Sequence, residues 1–359
     1  MSETKQTDKT IETIFLVLLV AVPLSWMIKL MDFNPVLLFI TSAIATIPLT
    51  RLISETTAKI ADNSSSAFGA FINAALGNIT EVMIAIFAIA AGLIVIVKAA
   101  IIGSLLANLL FLLGASLFLG GLRYKEQRFN TETAGIASTM LIIAFAGFTI
   151  PSIFALGYDN APVETISMLV SAVLIVVYIL GVVFTFFTHK HLFQPIRSYS
   201  QRMLMENWGK GKTFSLLALG VSLLAIETNL LVSSLEPTIK TYGLPPIFMG
   251  VVVLGIIGNI GEMASAMSAA IKNNVNLSIG IAVGSSTQIA MFVVPVLVFV
   301  SMLMGNPLTL VFPLFHILAV LFAVMIVNYL SSDGRCNWLE GVQLLSVYFI
   351  IAVVFFFVK

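Results

Sequence analysis

Apolar residues occur in long blocks with short polar breaks, near positions 12–30, 34–53, 67–91, 96–121, 131–151, 164–188, 213–235, 244–271, 276–303, 308–330 and 338–358. About 20 apolar residues form a helix long enough to cross a hydrocarbon core of about 30 Å. The pattern therefore predicts eleven transmembrane helices and leaves little chain for a soluble domain. The first block follows a polar tail. It is long for a signal peptide and has no small-residue cleavage site, so it reads as a retained helix.

One polar pentapeptide interrupts the blocks twice. Gly77-Asn78-Ile79-Thr80-Glu81 returns as Gly258-Asn259-Ile260-Gly261-Glu262, 181 residues later. At the same offset Glu55 matches Glu236, Thr57 matches Thr238, Lys59 matches Lys240, Gly69 matches Gly250, Gly103 matches Gly284 and Ser104 matches Ser285. Matches of Leu, Ile and Ala arise cheaply in membrane helices. Gly-Asn, Glu and Gly-Ser in fixed register do not, so the chain reads as two copies of one unit.

The first copy takes spans 2 to 6 and the second spans 7 to 11, and an odd number of spans per copy reverses the second in the membrane. The expected fold is an all-α polytopic membrane protein of eleven transmembrane helices, one plus two inverted five-helix repeats. Its parts are a tail and first helix over 1–33, a first repeat over 34–188, a cytoplasmic linker over 189–212 and a second repeat over 213–359. Inverted repeats mark many secondary transporters, whose sites lie near the midplane at the repeat interface. On that expectation spans 3 and 8 cross and bring Glu81 and Glu262 together. In the linker, Leu192, Phe193, Ile196, Tyr199, Met203, Leu204 and Trp208 recur at roughly helical spacing after Pro195. This fits either a short interfacial amphipathic helix or an ordered connector without a regulatory role.

Composition agrees: 59% of residues are hydrophobic and 10% charged, with mean hydropathy +1.07. A net charge of +1 says little, but the placement of the cations does. With a cytoplasmic amino terminus, 14 of the 18 Lys and Arg fall on the cytoplasmic side, leaving Lys29, Lys98, Lys240 and Lys359 for the other. The positive-inside rule then places the amino terminus in the cytoplasm and the carboxyl terminus outside. Cys336 is the single cysteine, so no intramolecular disulfide is possible.

A carboxylate at the bilayer centre costs about 2.5–3.5 kcal/mol on insertion scales, so an intramembrane Glu normally faces a partner or a water-filled path. Asn78 shares a helix face with Glu81, and Asn259 shares one with Glu262. The following spans offer Ser104 with Asn108, and Ser285 with Gln288. All are hard oxygen or amide groups, the ligands that Ca2+ prefers at six to eight oxygens. Gly77 and Gly258 are placed to break each helix before its acid and release backbone carbonyls as ligands, or else to let helices pack closely. Two nearby carboxylates in a poorly solvated site do not both stay ionised. One divalent ion neutralises both, so Ca2+ and protons compete for the same groups. Spans 4 and 9 bring no acid beside their Gly-Ser pairs that would hold several Na+.

Weaker candidates are Glu227, whose counterpart is Thr46 and which either belongs to a proton or ion route or pairs helices; Glu55 and Glu236, which either line a mouth of the path or pair locally; and His316, which reads as a packing histidine. There is no HExxH motif or nucleophile–base pair, so an enzyme is not expected.

The motifs resemble those of the cation/proton exchangers that move calcium against protons, within the calcium/cation antiporter superfamily. The resemblance rests on Gly77 to Glu81 with Gly103-Ser104-Leu105-Leu106-Ala107-Asn108-Leu109-Leu110, and on Gly258 to Glu262 with Gly284-Ser285-Ser286-Thr287-Gln288-Ile289-Ala290. It implies that Glu81 and Glu262 carry the ion and the proton in turn, with Asn78, Asn259, Ser104, Ser285 and Gln288 as the surrounding shell. The connector here is basic where many members carry an acidic segment, which argues against a calcium-sensing linker. The expected function is export of cytosolic Ca2+ in exchange for H+. A sodium/calcium exchanger and a cation channel stand as alternatives. The expected partners are Ca2+, H+ and the lipid bilayer, with no nucleic acid and no cofactor beyond the transported ions. A prokaryotic cell membrane is the expected location, and a homo-oligomer is left open.

Overall fold

The structure, a computed structural model, describes residues 15–62, 69, 72, 75–158, 160–189 and 209–358. The expected amphipathic segment between Leu192 and Trp208 lies outside the described residues, as does the amino-terminal tail. Among the described residues each predicted block carries an apolar helix. These are α1 (Phe15–Leu30), α2 (Pro35–Asp62), α3 (Ile79–Ala90), α4 (Ile94–Arg123), α5 (Thr131–Gly157), α6 (Val163–Thr188), α7 (Lys210–Tyr242), α8 (Pro246–Ile271), α9 (Val275–Leu303), α10 (Leu314–Leu330) and α11 (Trp338–Phe357).

Eight of them are long and apolar enough to cross a membrane; α1, α3 and α10 are apolar but shorter. Two of the short helices have visible causes. α3 starts late because Gly77 and Asn78 form a turn. α10 starts at Leu314, although its apolar block begins at 308, because the chain before it is not helical. There Leu308 and Leu310 are fully buried, and their amides find side chains instead of a helix ladder. Leu308 N donates to Ser301 Oγ at 2.8 Å, Leu310 N to Ser167 Oγ at 2.9 Å and Phe312 N to Ser152 Oγ at 2.9 Å. Lys98 Nζ donates to Val311 O at 2.6 Å and Thr309 Oγ1 at 2.9 Å. Irregular backbone at membrane depth persists only where such partners replace water. One departure from an all-helical chain is a pair of two-residue strands, β1 (Gln127–Arg128) and β2 (Arg335–Cys336), joined antiparallel with Gln127 opposite Cys336.

The duplication is visible in the helix frame. α4 begins at Ile94 and α9 at Val275, 181 residues apart. Each widens into a π-helical stretch, Ala107–Leu112 in α4 and Ile289–Val293 in α9, and these overlap at the same offset.

Two compact units cut across the repeats: Met1–Phe87 with Ser198–Leu244, and Ala88–Arg197 with Pro245–Lys359. In the first, α2 and α7 pack together around Ala45, Leu49, Ile53, Leu217 and Leu224, and Ile79 and Met83 of α3 rest on that core. In the second, α4 meets α8 backbone to backbone. A Cβ added at Gly103 would lie 2.6 Å from Val251 Cα, and one at Gly255 would lie 2.6 Å from the Gly103 carbonyl carbon. Small residues at membrane helix interfaces permit this approach.

Candidate functional site

In the second unit Glu262 sits within α8, half-buried. Ser285 Oγ on α9 donates to its Oε1 at 2.6 Å, and Asn108 Nδ2 on α4 donates to its Oε2 at 3.3 Å. The first distance is that of a charge-assisted O–H···O contact. One donor comes from each repeat, so the acid is clasped by both copies. Asn108 lies within the π-helical stretch of α4, and Ser285 lies one turn before that of α9. Such stretches insert an extra residue in a turn and commonly mark functional positions.

Around this acid several buried oxygens keep acceptor capacity. Asn259 is fully buried and its Nδ2 donates to Gly255 O at 2.7 Å, while its Oδ1 has no partner among the described residues. The Oδ1 of Asn108 and the Oγ1 of Thr287 are likewise without one. Ser104, one turn before Asn108, is 4% exposed and Gln288 is 7% exposed. Among the described residues no group of three or more His, Cys, Asp or Glu could hold a metal. The side-chain oxygens of Ser285, Asn108 and Asn259 are neutral and hard, a set that suits a divalent cation of the Ca2+ type.

The first unit differs. Gly77 and Asn78 form the expected break, and Glu81 is the third residue of α3, half-buried. Helix N-termini leave amides unused and favour negative charge there. Thr80 Oγ1 lies 2.8 Å from Thr50 Oγ1 of α2, which fixes the turn. Asn78 is 1% exposed and neither Oδ1 nor Nδ2 has a partner among the described residues. A buried polar group left unmade costs about 1–3 kcal/mol.

The expected break at Gly258 is absent. Gly258 and Asn259 lie inside α8, and the irregular stretch is Met249–Leu254 upstream. The same Gly-Asn pair thus breaks one helix and continues through the other, because its backbone bonds are kept in α8 and the Asn259 amide turns back on Gly255. Gly103, Gly250 and Gly255 sit at close helix contacts, where an added Cβ would meet a neighbouring helix.

Glu55 pairs with Arg51 at 2.6 Å and Glu236 with Lys240 at 2.7 Å, each one turn apart, so both acids pair locally. His316 is 3% exposed and packs at 5.0 Å on the Phe355 ring. The contacts that were not anticipated are Asn108 on Glu262 and Thr50 on Thr80. Asn108 corresponds to Ile289 at the repeat offset, so the internal symmetry does not single it out.

The family model described as sodium/calcium exchanger protein matches residues 34–187 and 212–357. The Ca2+/H+ antiporter of Aphanothece halophytica is 39% identical over 360 residues, covering 96% of each chain. The Ca2+/H+ antiporter ChaA of Bacillus subtilis is 37% identical over 347 residues, 96% of this chain and 99% of that one. Among solved structures, native YfkE matches with a TM-score of 0.84 at 34% identity, covering 96% of this chain and 100% of that one. The H+/Ca2+ exchanger CAX matches with a TM-score of 0.74 at 13% identity over 96% and 92% of the two chains, a likeness of fold alone.

Proposed function

We propose that this chain, which belongs to the sodium/calcium exchanger protein family, is an antiporter that exports cytosolic Ca2+ in exchange for H+, with Glu81 and Glu262 as the alternating carriers. The observation that carries this reading is the Glu262 carboxylate, held at 2.6 Å and 3.3 Å by two neutral donors with no ion pair to it among the described residues. Two hydrogen bonds leave lone pairs and most of the charge uncompensated, and either a metal ion or a proton completes the group. Relatives named Ca2+/H+ antiporters at 37–39% identity over their length support the choice of ions.

Charge balance gives the coupling. Ca2+ neutralises two carboxylates and its departure leaves them to protons, because a bare intramembrane carboxylate is costly. Asn78, Asn259, Ser104, Ser285 and Gln288 complete the oxygen shell, with Asn108 added on the strength of its bond to Glu262. Gly77 frees backbone at the α3 turn. The protein resides in a prokaryotic cell membrane, its amino terminus cytoplasmic and its carboxyl terminus outside, as the distribution of Lys and Arg favours.

The test is pH-gradient-driven 45Ca uptake into proteoliposomes. Wild type is expected to accumulate Ca2+, and E81Q and E262Q to lose exchange while keeping wild-type melting behaviour. Robust transport by either variant would sink the assignment. Uptake driven by a Na+ gradient instead would indicate sodium/calcium exchange, and large passive single-channel currents would indicate a channel.

A further inference from the structure

Glu227 lies in the interior of α7, fully buried within the first unit. Its counterpart in the repeat is Thr46, so it is no part of the duplicated motif. The carboxyl meets Ser25 of α1, whose Oγ lies 2.9 Å from Oε1, 2.9 Å from Oε2 and 2.7 Å from the carbonyl oxygen of Val22. The Trp26 indole and the Ser42 hydroxyl of α2 lie alongside.

The charged side chains on the helices around it are remote or engaged. Lys29, one turn beyond Ser25 on α1, is exposed. On α2, Arg51 is paired with Glu55, and Arg51, nine residues beyond Ser42, is about 13 Å further along the helix axis; Lys59 lies further still. On α7 itself Glu236 is paired with Lys240, and Lys212 is fifteen residues away. Among the described residues no ion pair reaches Glu227.

Full burial without an ion pair among the described residues favours the protonated acid, and the hydrogen count at Ser25 agrees with it. A serine hydroxyl has one hydrogen to give, yet Ser25 Oγ has three acceptors in range. If that hydrogen points to the nearest of them, Val22 O, then the contact with Glu227 is a hydrogen bond only when the carboxyl supplies the hydrogen. The neutral acid fits these contacts: Glu227 O–H donates to Ser25 Oγ while Ser25 O–H donates to Val22 O, and the Trp26 and Ser42 groups face the acid's carbonyl oxygen. An ionised Glu227 would leave a buried charge without a cation, a condition proteins avoid by neutralising the group.

We propose that Glu227 and Ser25 form a proton-binding site separate from the motif acids, in which Glu227 is held as the neutral carboxylic acid and clasps α1 to α7. The site stands on contacts within one unit and does not depend on which ions the protein exchanges.

Infrared difference spectroscopy of the purified full-length protein at neutral pH tests it. E227Q is expected to lose one C=O stretching band of a protonated carboxyl relative to wild type. In S25A, which leaves the acid in place and removes its acceptor, that band is expected to move to higher frequency. Loss of a pair of carboxylate stretches in E227Q would overturn the proposal. So would an S25A spectrum in which no protonated-carboxyl band moves. If the amide I band shows E227Q to be misfolded, S25A alone decides.

Discussion

Glu81 and Glu262 hold equivalent places in the repeat and meet different surroundings. Glu81 stands in the first turn of α3, where unused amides favour a negative charge. Glu262 lies where the helix backbone is fully used, so side chains supply the donors. If Asn108 orients the Glu262 carboxylate, N108A raises the Ca2+ concentration for half-maximal transport by about 10- to 100-fold, the usual cost of losing an outer-shell partner, and S285A does the same. Calcium titration of transport in proteoliposomes checks both, and unchanged values would remove these residues from the shell. Cys336 gives a second residue-scale outcome. Burial pushes its thiol up to about 12, with Glu340, Asp333 and Glu126 adding in the same direction. Only the thiolate reacts, so the folded protein is expected to resist maleimide labelling at neutral and mildly alkaline pH and to label fully once denatured. Rapid labelling of the folded protein would contradict the buried β2 position.

At the level of elements, glycines that match in sequence differ in consequence. Gly103 faces the backbone of Val251, whereas a Cβ at its counterpart Gly284 would meet nothing within 4 Å among the described residues. G103A is therefore expected to destabilise by about 1–3 kcal/mol, the cost of overpacking, and G284A to stay within about 0.5 kcal/mol of wild type. Thermal unfolding in detergent measures both, and equal effects would contradict the α4–α8 contact. The non-helical segment before α10 makes a similar point. S152A and S167A each strip the partner from a buried amide and are expected to cost about 1–3 kcal/mol apiece, read by the same unfolding assay. Hydropathy marked residues 308–313 as the start of a helix because Leu308, Leu310 and Phe312 are apolar. Serines on other helices, more than a hundred positions away in two cases, take up its amides instead of a helix ladder.

For the whole molecule, the repeat and the compact unit are different divisions of one chain. The repeat follows ancestry along the sequence; each unit gathers helices from both copies. Orientation belongs to this scale as well. A reporter active only outside the cytoplasm, fused after Lys359, is expected to be active, and the same reporter at the amino terminus silent; the reverse pattern would overturn the orientation drawn from the basic residues.

The spans, the duplication and the two motif acids are legible in one dimension, because lipid demands long apolar runs and a fixed offset survives without knowledge of contacts. Asn78, Asn259 and Ser285 are legible for the same reason. The partner of Glu262 on α4, the turn at Gly77 against the unbroken helix at Gly258, the local pairing of Glu55 and Glu236, and the Ser25–Glu227 clasp were settled by folding alone. Each depends on which atoms approach across large separations in sequence, and identical local motifs take different conformations when different neighbours satisfy their backbone and side-chain hydrogen bonds.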